Sequence, residues 1–159
     1  MQGGKQLGRN GEDETVTYAQ GTTVPISRSK AEIEDLLSRY GADAFGIVTK
    51  TSESIIGFEV SGRRVRFVLP FPHRDEERFQ LPKHGRRSAT DRSIEAWCQE
   101  CRRLWRSLAL VIKAKLEACA SGIVTFEQEF MAHIVLPNGK TVSEQIGPEL
   151  LQIYESGRQ

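Results

Sequence analysis

Helical and alternating apolar patterns fall in separate stretches of this sequence, which predicts an α+β fold rather than a repeated alternation of strand and helix. Three observations carry that prediction. Ile33, Leu36, Leu37 and Tyr40 recur at helical spacing. Ile56, Phe58 and Val60, then Val65, Phe67 and Leu69, alternate with smaller or polar neighbours. Ile94, Cys98, Cys101, Trp105, Leu108, Ile112, Leu116 and Cys119 form one apolar stripe within an arc of roughly 80°. The expected architecture is an N-terminal helix, a three-stranded antiparallel meander, a long helix packed on the sheet, and short C-terminal helices.

Each element has its own local reason. Residues 1–21 are rich in Gly, Gln, Asn, Asp, Glu and Thr without a sustained period, and are expected to form a disordered leader. Thr22 to Ile26 holds β-branched residues and Pro25, and reads as extended chain. Ser29 with Glu32 makes a capping box for the first helix, and Gly41 sits where a C-cap belongs. Strands are expected over about Ala44 to Lys50, Ser54 to Val60 and Arg63 to Leu69, joined by turns at Thr51-Ser52-Glu53 and Ser61-Gly62.

From Pro70 to Arg87 the periodicity stops, and Pro70, Pro72 and Pro82 punctuate a run of charges, which predicts a flexible basic loop at 70–87. Ser88 and Asp91 open the long helix, expected over about Ala89 to Ala120, and Gly122 closes it. Thr125 and Gln128 cap a further helix carrying Phe126, Phe130, Ile134 and Val135 as far as Pro137-Asn138-Gly139. Thr141 and Glu144 open a short helical segment, and Pro148, suited to a first helical position, starts another that runs to Gly157.

With 159 residues, 38% of them apolar, the chain can bury one core and hardly two, so 22–157 reads as a single domain. No apolar run approaches the roughly 18–20 residues that span a bilayer, and the start of the chain lacks the apolar stretch of a secretory signal. Three cysteines, two of them in a helical stretch, are poor material for a disulfide framework. A cytoplasmic setting follows as the expectation.

Catalytic and metal motifs do not assemble. Cys98 and Cys101 have the C-x-x-C spacing of a metal or redox pair, yet both lie on the apolar stripe, where buried cysteine acts as a small hydrophobe. Gly139-Lys140-Thr141 mimics the end of a phosphate-binding loop, but Ile134 stands where its first glycine should be. His73, His84 and His133 have no nucleophile elbow or paired-histidine partner nearby in sequence. Glu127, Glu129 and the Asp75-Glu76-Glu77 run read as helix-dipole and solvated charges, with acid–base or metal work as the sharper alternative. Neither a catalytic residue, a metal ligand nor a cofactor is expected.

The charge distribution is the most informative feature. The net charge is +1, but the segment from Arg63 to Lys115 carries 14 Lys/Arg against 6 Asp/Glu, so the middle of the chain is basic and both ends are acidic. Arg63, Arg64 and Arg66 fall on a hairpin, Lys83, Arg86 and Arg87 in the loop, and Arg102, Arg103, Arg106 and Lys113 on the long helix, with Phe71 and Phe79 interleaved. Arginine suits phosphate and aromatic rings stack unpaired bases, so this set is the candidate nucleic-acid surface, with Phe79 as a stacking residue. A solvated face balanced by the chain's own acids, an acidic protein partner, and a small anion are the competing readings.

The stretches Ser29-Lys30-Ala31-Glu32-Ile33 to Tyr40-Gly41-Ala42-Asp43, Gly62-Arg63-Arg64-Val65-Arg66-Phe67-Val68-Leu69-Pro70, Leu110-Val111-Ile112-Lys113-Ala114-Lys115-Leu116-Glu117-Ala118 and His133-Ile134-Val135-Leu136-Pro137-Asn138-Gly139 together resemble a family of small, largely uncharacterised bacteriophage and prophage proteins. The resemblance covers about residues 22–157 and implies a phage setting, in the cytoplasm of a bacterial host. The order helix, meander, long helix is also similar to the core of single-strand annealing proteins, a likeness of architecture alone. Together these readings point to a non-enzymatic accessory protein that binds nucleic acid, with single-stranded DNA favoured. The alternatives are a phage inhibitor of a host defence system, acting on a host protein or a nucleotide signal, and a metal-dependent nuclease-like enzyme.

Overall fold

Residues 22–80 and 89–157 are described by this computed structural model. The elements follow the expected order: helix α1 (Ile26–Arg39), strands β1 (Ala44–Thr49), β2 (Glu53–Val60) and β3 (Arg63–Pro70), the long helix α2 (Ala89–Ala120), the short helix α3 (Phe126–Phe130) and helix α4 (Val142–Ser156).

The three strands form one antiparallel sheet in the order β1-β2-β3. Ser61 and Gly62 turn the second hairpin with φ of 50° and 72°, the left-handed pair that a two-residue hairpin loop demands. The register sets Ile47 opposite Ile56 and Ile56 opposite Phe67, so the apolar alternation of the three strands lands on one face. That face, the Ile33, Leu36 and Leu37 stripe of α1, and Trp105, Leu108, Ile112 and Leu116 of α2 make a single core. α2 ends in a Schellman arrangement, with Gly122 at φ 70° and the Ile123 amide bonded to Ala118 at 3.1 Å.

Three local expectations are corrected: where α1 starts, where α3 ends, and the number of C-terminal helices. α1 opens one turn before the Ser29/Glu32 box, with Pro25 as its N-cap and no side-chain cap. Ile26 packs against the core, one helical repeat ahead of Ile33, and burial of the stripe extends the helix past the local signal. Ser29 is consequently an interior helical residue and is fully buried.

The connection after β3 is folded across Phe71–Gln80: it carries a 3₁₀ turn at Glu77–Phe79, and Phe79 is buried. Residues 81–88, including the Ser88 cap, lie outside the described residues. The helix begun by the Thr125/Gln128 capping box stops at Phe130, which is fully buried and edge-on to Phe58 and Phe67. Ile134 and Val135 leave the helix to pair with the open edge of β3, where the Val135 amide meets the Arg64 carbonyl at 2.8 Å. At the C-terminus one helix replaces two: α4 starts at its Thr141/Glu144 capping box and contains Pro148 within it.

Candidate nucleic-acid interface

In the first turns of α2, Ile94, the first residue of the apolar stripe, is exposed. The segment after β3 folds back against them. Trp97 donates its indole N–H to the Pro72 carbonyl at 2.8 Å, Arg78 approaches Glu100 at 3.6 Å, and the Phe71 amide ties the segment to Ser52 in the β1–β2 turn at 2.8 Å. Between this segment, the β1–β2 turn, the start of α1 and α2 lies a groove of about 1040 Å³. Its walls and floor are apolar and aromatic: Ile26, Phe71, Pro72, Trp97, Cys98, Cys101 and an edge of Trp105. Burial pushes the Cys101 thiol up to about 11, so it sits there as a protonated, inert group.

Three cations stand around this groove without a carboxylate partner among the described residues. Lys30 places its ammonium over the Trp105 ring at 4.8 Å and donates to the Thr49 hydroxyl at 3.3 Å. Arg74 stacks over Trp97 at 4.3 Å from the ring centre. Arg102 donates two hydrogen bonds, at 3.0 and 2.7 Å, to the side-chain oxygen of Gln99. Their partners among the described residues are neutral, so no described carboxylate compensates their charge. Lys50, also on the rim, is paired with Glu53 at 3.0 Å, and Asp75 is the only carboxylate among the described residues that line the groove.

Among the described residues, the arginines singled out from the sequence are placed very differently from one another. Arg63 faces Glu127 at 3.7 Å, and Arg66 is held by Glu144 at 2.6 Å and by the Gly139 carbonyl at 3.0 Å. Arg103 is bidentate to Glu100, and Arg106 is joined to Glu32 of α1. Arg66, Arg103 and Arg106 are thus spent within the fold, whereas the Arg63 and Glu127 side chains both stay about half exposed. Arg64 is exposed, but it alternates with Val65 and so lies on the sheet face opposite the one that α2 covers. Lys113 borders a separate cavity between α1 and α2, which Arg28, Glu32, Asp35 and Arg39 of α1 also line. Phe79 is buried, which removes it as a stacking platform. Lys83, Arg86 and Arg87 lie outside the described residues.

Of the sequence-selected set, therefore, Arg102 alone is on the groove among the described residues. Lys30, Arg74, Trp97 and Phe71 complete it. Phe71 is interleaved with the basic run of the sequence, whereas Trp97 belongs to no basic or catalytic pattern and adjoins the apolar stripe at Cys98 and Cys101. A tryptophan at the stripe's margin, facing a proline-rich connection, was the available signal.

Two further titratable residues singled out from the sequence are held by partners within the fold. His133 stacks on Phe67 with ring centres 4.0 Å apart, and burial lowers its imidazole below the ordinary value, with the nearby Lys115 acting in the same direction and a hydrogen bond with the Arg66 backbone opposing both. Glu129 is bonded to Lys115 at 2.8 Å. Gly139 and Thr141 form a turn and a helix cap rather than a phosphate cradle. Among the described residues no group of three or more His, Cys, Asp or Glu is placed to hold a metal ion, and no helix is long and apolar enough to cross a membrane. No family model, curated protein or solved structure matches this chain.

Proposed function

We propose that this chain is a non-enzymatic accessory protein that binds single-stranded nucleic acid, with single-stranded DNA as the favoured ligand and an unpaired base seated in the groove between α1, the Phe71–Gln80 segment and α2. One observation carries the reading. The cations at this groove, Lys30, Arg74 and Arg102, have neutral or aromatic partners, while Arg63, Arg66, Arg103 and Arg106 face the chain's own carboxylates. Cations that meet no described carboxylate, set beside half-buried aromatic rings, suit a phosphate and a base presented together. A duplex hides its base faces, so the aromatic walls favour single strands. Arg74 can stack a base on the outer face of its guanidinium or yield the Trp97 face to it.

The test is equilibrium binding of a labelled single strand followed by fluorescence anisotropy across a salt series, with a duplex of the same sequence as competitor. Three phosphate contacts correspond to a slope of about −2 in log affinity against log salt, at about −0.7 per phosphate on single strands. Replacing Arg74 or Arg102 by Ala should flatten that slope by about 0.7 each, and replacing Arg103 should leave it unchanged.

A free nucleotide signal is the second reading, favoured by the size of the groove, about 1040 Å³, which is that of a small-molecule pocket. Free mono- and dinucleotides added to the same titration separate the two. Displacement of the oligonucleotide at micromolar nucleotide favours the second.

A further inference from the structure

We infer that two copies of this chain associate about a two-fold axis, the apolar stripe of α4 from each copy covering the open sheet face of the other. α4 is a 15-residue helix of which no residue is buried. Ile146, Leu150, Leu151, Ile153 and Tyr154 are between 49% and 68% exposed. They fall together on one side of the helix, within an arc of roughly 160°. Such a stripe leaves on the order of 500 Å² of contiguous apolar surface in water, at the upper end of what a monomer tolerates.

The sheet has the matching deficiency. An antiparallel sheet left open to water normally turns polar residues outward. Here the outward row Val48-Ile55-Val68 is apolar, and the next row begins with Gly46 opposite Gly57. Val48 and Val68 are exposed, and the bare glycine pair leaves a trough that helps form a depression of about 410 Å³. A helix needs such a trough to approach a sheet closely.

Charge selects the pairing. α4 carries Glu144, Glu149 and Glu155 and neither Lys nor Arg, so two α4 helices laid against each other bring like charges together. The open sheet face carries Arg64, exposed and without a carboxylate partner among the described residues, in the row that also holds Glu59. α4 on sheet is therefore better matched than α4 on α4. The root of α4 also lies beside this face, because Arg66, which points outward from β3, holds Glu144 in the first turn. Helix and trough are neighbours in one copy, which lets a two-fold axis exchange them. Two such contacts bury on the order of 1,600 Å², the size of a stable interface.

Sedimentation equilibrium of the full chain at concentrations on the order of 100 μM tests this. The expected mass is twice the 17.9 kDa of one chain. Gly46→Lys places a charged side chain in the trough, where an added Cβ meets nothing within 4 Å, and Ile153→Glu charges the helix stripe. Both variants should sediment as monomers with unchanged far-ultraviolet circular dichroism. A monomeric wild-type chain overturns the inference. So does a dimer that survives either folded variant, since loss with Ile153→Glu alone means helix on helix and loss with Gly46→Lys alone means sheet on sheet.

Discussion

Arg102 and Arg103 each reach back one turn of α2, but Arg102 meets the neutral amide of Gln99 at 2.7 Å and Arg103 meets the carboxylate of Glu100 at the same distance. Adjacent residues of the same type thus carry different assets: one a charge on the groove that no described carboxylate compensates, the other a closed ion pair. Arg102→Gln should weaken single-strand binding at low salt several-fold and lower the salt slope by about 0.7. Arg103→Gln should leave both unchanged. Anisotropy titrations of the two variants in parallel check this.

Arg103→Gln acts on stability instead. The pair is about four-fifths shielded from water on both sides, and its loss should cost about 1 kcal/mol at neutral pH, or about 3 °C in Tm. The hydrogen bond from Arg103 is the main cause holding the Glu100 carboxyl below its ordinary 4.5, with the charges of Arg103 and Arg78 adding to it against burial. A depressed carboxylate contributes stability above its unfolded pKa and loses it as pH falls through the folded value. The difference between wild type and Arg103→Gln should therefore be full at pH 7 and shrink below about pH 4.5, as measured by urea denaturation at each pH.

His133 gives an acid dependence in a higher window. Burial holds its imidazole below the ordinary 6.5, so the unfolded chain takes up a proton first as pH falls. Stability should decline from about pH 6.5 downward until the folded value is passed, and level off there. His133→Phe preserves a ring to stack on Phe67 and removes the proton. Its stability should be flat between pH 7 and 5.5 where that of the wild type declines.

Thiol chemistry reports on the groove without a label. Cys101, 3% exposed and with its pKa raised to about 11, should resist a disulfide reagent until the protein unfolds. Cys98 is half-buried and lines the groove, so it should react in the native protein and be protected by a saturating oligonucleotide. Rates followed on a chain with Cys119→Ser separate the two thiols. Equal rates at Cys98 and Cys101 would mean that α2 is not packed as described.

What the sequence could disclose was local. The Thr125/Gln128 and Thr141/Glu144 capping boxes form as read, because each closes within three residues, and the sheet register follows from the alternation of Ile56, Phe58, Val65 and Phe67 with Ser61-Gly62 as the turn. What it concealed depends on distant partners. The helix starts at Ile26 because the core reaches it, and Phe79 is buried because the segment after β3 folds onto α2.

The basic residues show the same division. Counting arginines measures charge but not its compensation, and Glu32 and Glu144 neutralise Arg106 and Arg66 from 74 and 78 residues away. The Arg102/Arg103 distinction was available, since Gln99 and Glu100 lie three residues before them on one helix.

Tryptophan fluorescence of the full chain, titrated with unlabelled oligothymidylate at low salt, bears most directly on the proposal that the groove seats an unpaired base. Trp105 is 1% exposed and Trp97 lines the groove more openly, so Trp97 should report. The expected result is a saturable quench that added salt reverses and that Trp97→Leu abolishes, with affinity lowered about tenfold by the loss of stacking. No quench at low salt, or a quench unchanged in Trp97→Leu, would contradict it.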